Sequence, residues 1–156
     1  MALSLSTPVT GGAQTGLTSP TYTLATDTAP TSSGKQYAVS ALGGTQTGVD
    51  TSSTPSRPFT ITLQRPPVLR GAPAVNAVTG LLGSVPRNTY KIIGRKGVTC
   101  VTGQAPQVAN VTVTIDIPAG SDSADAANVR ALLSLVIGSM NQISAGIGDT
   151  AVTGVI

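Results

Sequence analysis

Ala109-Asn-Val-Thr-Val-Thr-Ile-Asp-Ile-Pro118, followed by Ala119-Gly120 and a long apolar run, is the stretch that decides the fold. Val111, Val113, Ile115 and Ile117 alternate with Thr112, Thr114 and Asp116. That is the period of a strand with one apolar and one polar face. Past Gly120 the period lengthens. Val129, Leu132, Leu133, Val136, Ile137, Met140 and Ile143 recur at helical spacing and make one face of an amphipathic helix. Ser121, Asp122 and Ser123 are candidate caps, and Asp122 and Asp125 suit the positive end of the helix dipole. Gly146 and Gly148 weaken any continuation.

Upstream, Phe59-Thr-Ile-Thr-Leu-Gln64 alternates in the same way, and Pro66-Pro67 stops it. Thr89-Tyr-Lys-Ile-Ile93 resumes as a strand, with a bulge predicted at Gly94. Val98-Thr-Cys-Val-Thr102 is expected to continue the sheet. Tyr22-Thr-Leu-Ala-Thr26 and Gln36-Tyr-Ala-Val-Ser-Ala-Leu42 are earlier strand candidates between turn-forming clusters. Residues 43–58 read as a loop. Residues 66–88 have no regular pattern beyond a short excursion around Val78 to Leu82. Strands first and one helix last make an α+β domain, a meander with its helix on one face. The helix takes an apolar face of the sheet, so the other face is polar and exposed.

Composition removes several classes of function. With no His, neither a Ser-His-Asp hydrolase nor a His-ligated metal site is available, and one Cys cannot build a thiolate zinc site. No catalytic, metal or cofactor residue is expected; Cys100 reads as a small buried hydrophobe. Charged residues are 10 %, too few for the usual surface of a soluble monomer. Such a surface suits either cover by other copies of the chain or a surface-exposed β domain. The start, Met1 to Pro8, has no basic and apolar leader pattern, which points to the cytoplasm. The run from Ala131 to Met140 is too short to cross a membrane.

The charges are unevenly spread. Residues 51–115 hold Arg57, Arg65, Arg70, Arg87, Lys91, Arg95 and Lys96 and no acid, the footprint of a polyanion-binding surface. Lys91 and Arg95 share a side of their strand. If they follow the polar face, the exposed sheet is basic and hydroxyl-rich, able to meet phosphate, sugar and base edges. The alternative puts the cations on loops.

The order of elements, Ala109 to Pro118 running into a Leu/Val-rich helix, Pro86-Arg-Asn-Thr-Tyr-Lys-Ile-Ile-Gly-Arg-Lys-Gly97, and the tail Gly148-Asp-Thr-Ala-Val-Thr-Gly-Val-Ile156 together resemble the coat proteins of single-stranded RNA bacteriophages, the levivirus group. The resemblance covers roughly residues 57–156. It implies one coat domain over 1–156: an N-terminal hairpin and first sheet strand over about 1–56, sheet over 57–117, and a helical region over 121–156. It further implies interlocked dimers, in which each helix lies on the partner's sheet. These close into an icosahedral virion shell assembled in the bacterial cytoplasm around the RNA genome. Some members also bind an RNA hairpin as translational repressors. On this chain the implied RNA-facing residues are Thr60, Thr62, Gln64, Lys91, Arg95, Thr112 and Thr114, and the implied dimer helix carries Val129, Leu132, Leu133, Val136, Ile137 and Met140. The hairpin readers of the family stack a base on a sheet aromatic, whereas Tyr90 points inward by parity. A secreted or surface β-rich adhesin or pilus-like subunit is the alternative on composition, and it needs a leader segment.

Overall fold

The computed structural model describes residues 3–156; Met1 and Ala2, where the segment read for a leader begins, lie outside them. Six antiparallel strands form one sheet in sequence order: β1 Val9–Thr10, β2 Thr18–Asp27, β3 Gly34–Thr45, β4 Phe59–Gln64, β5 Arg87–Val98 and β6 Gln107–Pro118. Three helices follow: α1 Ser121–Ala124, α2 Ala126–Gln142 and α3 Ser144–Thr153. The α+β meander is therefore the observed fold, and β4 has the bounds its alternation predicts.

Three local expectations are corrected. First, β5 pairs with β4 and β6 in unbroken register through Gly94, so no bulge lies there. The irregularities fall between β2 and β3, at Thr18/Thr21 and Thr23/Leu24. Second, the strand expected over 98–102 ends at Val98, which pairs with Gln107. The chain then turns, Gln104 N donating to Val101 O and Gly103 adopting a left-handed φ of 82°. Cys100 sits on this turn and is exposed, not buried. Third, the helical region continues across Gly146 and Gly148 as α3. Gly148 lies so close to Gln14 that a Cβ there would meet Oε1 at 1.9 Å. The glycine serves a close approach: Gln14 Nε2 donates to Ser144 O at 2.9 Å, and Thr15 Oγ1 to Asp149 Oδ2 at 2.9 Å.

The serine caps are also not as expected. Ser121 Oγ donates to Pro118 O and Ser123 Oγ to Gly120 O, so neither hydroxyl accepts from the first turn. The residue before α1 is Gly120, with φ 94°, where an L side chain is strained. Asp125 separates α1 from α2, its carboxylate taking both hydrogen bonds from Asn128 Nδ2.

The core of the single chain is thin. Among the described residues Val39, Leu63, Ile117 and Ala119 are buried, as are Pro20 and Pro58 beside them. Within the single chain, none of Val129, Leu132, Leu133, Val136, Ile137 and Met140 is buried. Leu132 is 56 % and Ile137 65 % exposed. The apolar face of the sheet is likewise open. It holds a concavity of about 320 Å³ lined by Val9, Tyr22, Leu24, Val39, Phe59, Ile61 and Val111 among others. Tyr22 and Phe59 meet there edge to face, 5.8 Å between centroids. Among the described residues no single helix is long and apolar enough to cross a membrane. α2 and α3 reach that length only together, across a 59° bend.

Candidate nucleic-acid interface

Directly paired residues in an antiparallel sheet point to the same face. The register therefore sorts the sheet without further assumption. One row across β4, β5 and β6 is Gln64, Lys91 and Thr114; the next is Thr62, Ile93 and Thr112; the third is Thr60, Arg95 and Asn110. All seven residues read as RNA-facing thus share one face, gathered in three adjacent rows. Arg87 and Thr89 extend it along β5. The opposite face carries Phe59, Ile61 and Leu63 on β4, Tyr90 and Ile92 on β5, and Val111, Val113, Ile115 and Ile117 on β6.

Sharing a face does not make every member accessible. Lys91, Arg95, Thr112 and Thr114 are exposed, and Gln64 is half-buried. Thr60 and Thr62 are buried, at 8 % and 2 % exposure, so their reading as RNA contacts is corrected. Thr62 Oγ1 donates to Gln36 Oε1 at 2.9 Å, and Gln36 Nε2 donates to Asp27 Oδ2 at 2.7 Å. Thr60 Oγ1 has no hydrogen-bond partner among the described residues. The alternation of β4 shows which face its threonines take. It does not show that β3 contributes Gln36 and Ala38 beside them, in pairs with Thr62 and Thr60. That Gln36 contact, with the Thr28 backbone N–H second, holds the Asp27 carboxyl below the ordinary carboxylate value.

The seven-cation block divides in two. Arg57 Nε pairs with Asp50 Oδ2 at 2.9 Å, and Arg57 Nη2 donates to Thr99 Oγ1. Lys96 Nζ lies 4.1 Å from the centre of the Phe59 ring and donates to Asp50 O at 2.5 Å. Burial pushes the Lys96 ammonium below its ordinary pKa, against the opposing pull of Asp50. The loop after β3 thus supplies the acid that the 51–115 block lacks, and these two cations hold that loop.

Among the described residues the other five cations of the block, Arg65, Arg70, Arg87, Lys91 and Arg95, have no carboxylate within salt-bridge reach. Four of them line one groove of about 820 Å³: Arg65 at the end of β4, Arg70 on the following loop, and Arg87 and Lys91 on β5. Thr31, Ser32, Ser33, Gln64 and Thr89 add polar groups, and no carboxylate lines it. Arg70 is positioned by Asn88, which is buried. Asn88 Oδ1 accepts from Arg70 N and Nδ2 donates to Arg70 O, both at 2.9 Å. Arg65, Arg70 and Arg87 belong to the cation block but not to the residues the sequence points to as RNA-facing, because nothing regular in 66–88 shows where that loop returns. The twin hydrogen bonds of Asn88 bring it back to β5. Cations spaced along a groove with hydroxyls between them can neutralise successive phosphates and hydrogen-bond sugars or base edges.

No protein-family model and no curated protein matches the chain. Among solved structures it is similar to the virus-like particle of bacteriophage ESE020, at 57% identity over 99% of this chain and 100% of that chain, with a TM-score of 0.95.

Proposed function

The chain belongs to the bacteriophage coat proteins, and on that premise we propose that it packages single-stranded RNA, with the polar sheet face and its basic groove turned to the genome. The role is that of a structural protein of the virion. The observation that carries the RNA reading is the set of five unpaired cations on and beside one sheet face. A shell interior needs such a surface to offset the charge of the nucleic acid it encloses.

Dimers are the building unit in this reading. The stripe from Val129 to Ile143 is uncovered within one chain, and so is the concavity on the apolar sheet face. Each α2 laid over a partner's sheet covers both at once. That arrangement leaves the polar faces of the two sheets on the same side, facing the RNA, and assembly takes place in the cytoplasm of the host bacterium. All four aromatic rings are off the polar face: Tyr37, Phe59 and Tyr90 by register, and Tyr22 by its contact with Phe59. Binding is accordingly phosphate-led, and no aromatic side chain is placed to stack a base of a specific hairpin. The test is the salt dependence of RNA binding by the dimer. A slope that falls when Lys91 and Arg95 are replaced supports the reading, and an unchanged slope overturns the assignment of the face.

A further inference from the structure

The loop between β4 and β5 is a built arm. Its base is clamped by Asn88 on the Arg70 backbone and by Ala119 N donating to Pro86 O at 2.8 Å. Gly120 sits so close that a Cβ there would lie 2.6 Å from Ala72 Cβ. Its tip is a tight turn. Val75 bridges Leu82, Asn76 N donates to Leu81 O at 2.9 Å, and Gly80 N to Asn76 O at 2.8 Å. Asn76 Oδ1 accepts from Val78 N and Thr79 N, and Gly80 takes the left-handed φ of 67° that closes the turn.

This turn presents apolar side chains to solvent: Val78 is 94 % exposed, Leu81 68 %, Val75 56 % and Leu82 55 %. A preformed knob of this kind on a protein that closes into a particle marks an interaction surface. Its charge says what it meets. Residues 71–86 contain no charged side chain, while Arg65, Arg70 and Arg87 stand at the base. RNA would select cations at the tip, and none is there. Two copies of one segment meeting at a symmetry axis double whatever charge they carry, and a neutral apolar tip meets its own copy without repulsion.

We propose that the 71–86 arm is an assembly contact, its tip packing against the same tip of another copy of this chain in the shell. This rests on the coat-protein reading and adds to it a segment outside the sheet and helices that the dimer uses. The test has two variants, both compared with wild-type particles. In the first, Val78→Cys is placed in a Cys100→Ser background and assembled particles are treated with a mild oxidant. A disulfide needs Cβ atoms about 4 Å apart, so it reports tip-to-tip contact. A band of twice the chain mass on a non-reducing gel is expected, and a monomer band alone overturns the proposal. In the second, Val78→Asp with Leu81→Asp is expected to lose the particle while retaining RNA-binding dimers and a wild-type circular dichroism spectrum. Particles at wild-type yield overturn the proposal. If the double variant unfolds, the cross-link decides. If the wild-type chain makes no particle, the coat-protein reading has failed first, a result seen before either variant is compared.

Discussion

Replacing Lys91 and Arg95 together by alanine removes two of the five unpaired cations without touching a buried group, since both side chains are exposed. For single-stranded nucleic acid the logarithm of affinity falls with the logarithm of salt with a slope of about −0.7 per neutralised phosphate. One chain engaging phosphates through Arg65, Arg70, Arg87, Lys91 and Arg95 gives a slope of roughly −3.5, or about a 100-fold loss of affinity between 50 and 200 mM salt. With two contacts gone the slope drops to roughly −2.1 and the loss to about 20-fold. Filter binding or fluorescence anisotropy on purified dimers, at four or five salt concentrations and with two unrelated RNAs, measures both quantities. The weakening should be the same for both RNAs, because phosphates carry no sequence. A slope equal to wild type would refute the reasoning, and so would a loss confined to one RNA.

Thr60→Val removes a buried hydroxyl that has no partner and should raise stability by about 1 kcal/mol, whereas Thr62→Val breaks a bond to Gln36 and should lower it by about 1–3 kcal/mol; urea unfolding of dimers gives both values. Leu132→Asp with Ile137→Asp alters side chains that are more than half exposed in the single chain, so helical content should persist while sedimentation shows loss of dimers and particles. The Asp27 carboxyl is held below its ordinary value by Gln36, so its contribution to stability is complete above the unfolded value of about 3.9 and fades as pH falls through the lower folded value. Asp27→Asn should therefore flatten the fall of Tm with pH in that acid window and leave the neutral range with little pH dependence of its own.

How much of this was legible in the sequence depends on the element. β4 alternates from end to end and β6 from Ala109 to Ile117, so the extent of β4 and the facing of both could be read, while β6 starts two residues earlier at Gln107, where the alternation gives no signal. β5 could be read except at Gly94, where glycine in a strand suggests a bulge but pairs in register opposite Ile61 and Val111. Gly148 misled in the other direction. It reads as a helix breaker, yet it is where Gln14 approaches α3, a contact 134 residues distant in sequence from its partner at the level of Thr15 and Asp149. Parity put Lys91 and Arg95 on one side of their strand, but that this is the side of the threonines needed the register of β4, β5 and β6. The burial of Thr60 and Thr62 could not be read from parity, because it depends on which residues β3 sets beside them. The acid that engages Arg57 and Lys96 likewise comes from Asp50, outside the basic block, and only the fold brings it there. The helix stripe was legible as an apolar face, and one copy leaves it uncovered; in the proposed dimer the partner's sheet is its cover.

Sedimentation velocity of the purified protein, recorded at 260 and 280 nm, tests the central claim most directly. The chain has no Trp and three Tyr, so protein contributes little at either wavelength and packaged nucleic acid dominates the particle signal. The account expects a fast, narrow boundary with strong 260 nm absorbance, whose contents are digested by ribonuclease and not by deoxyribonuclease once the shell is opened. A slow boundary from a 15.5 kDa monomer, free of nucleic acid, would contradict it.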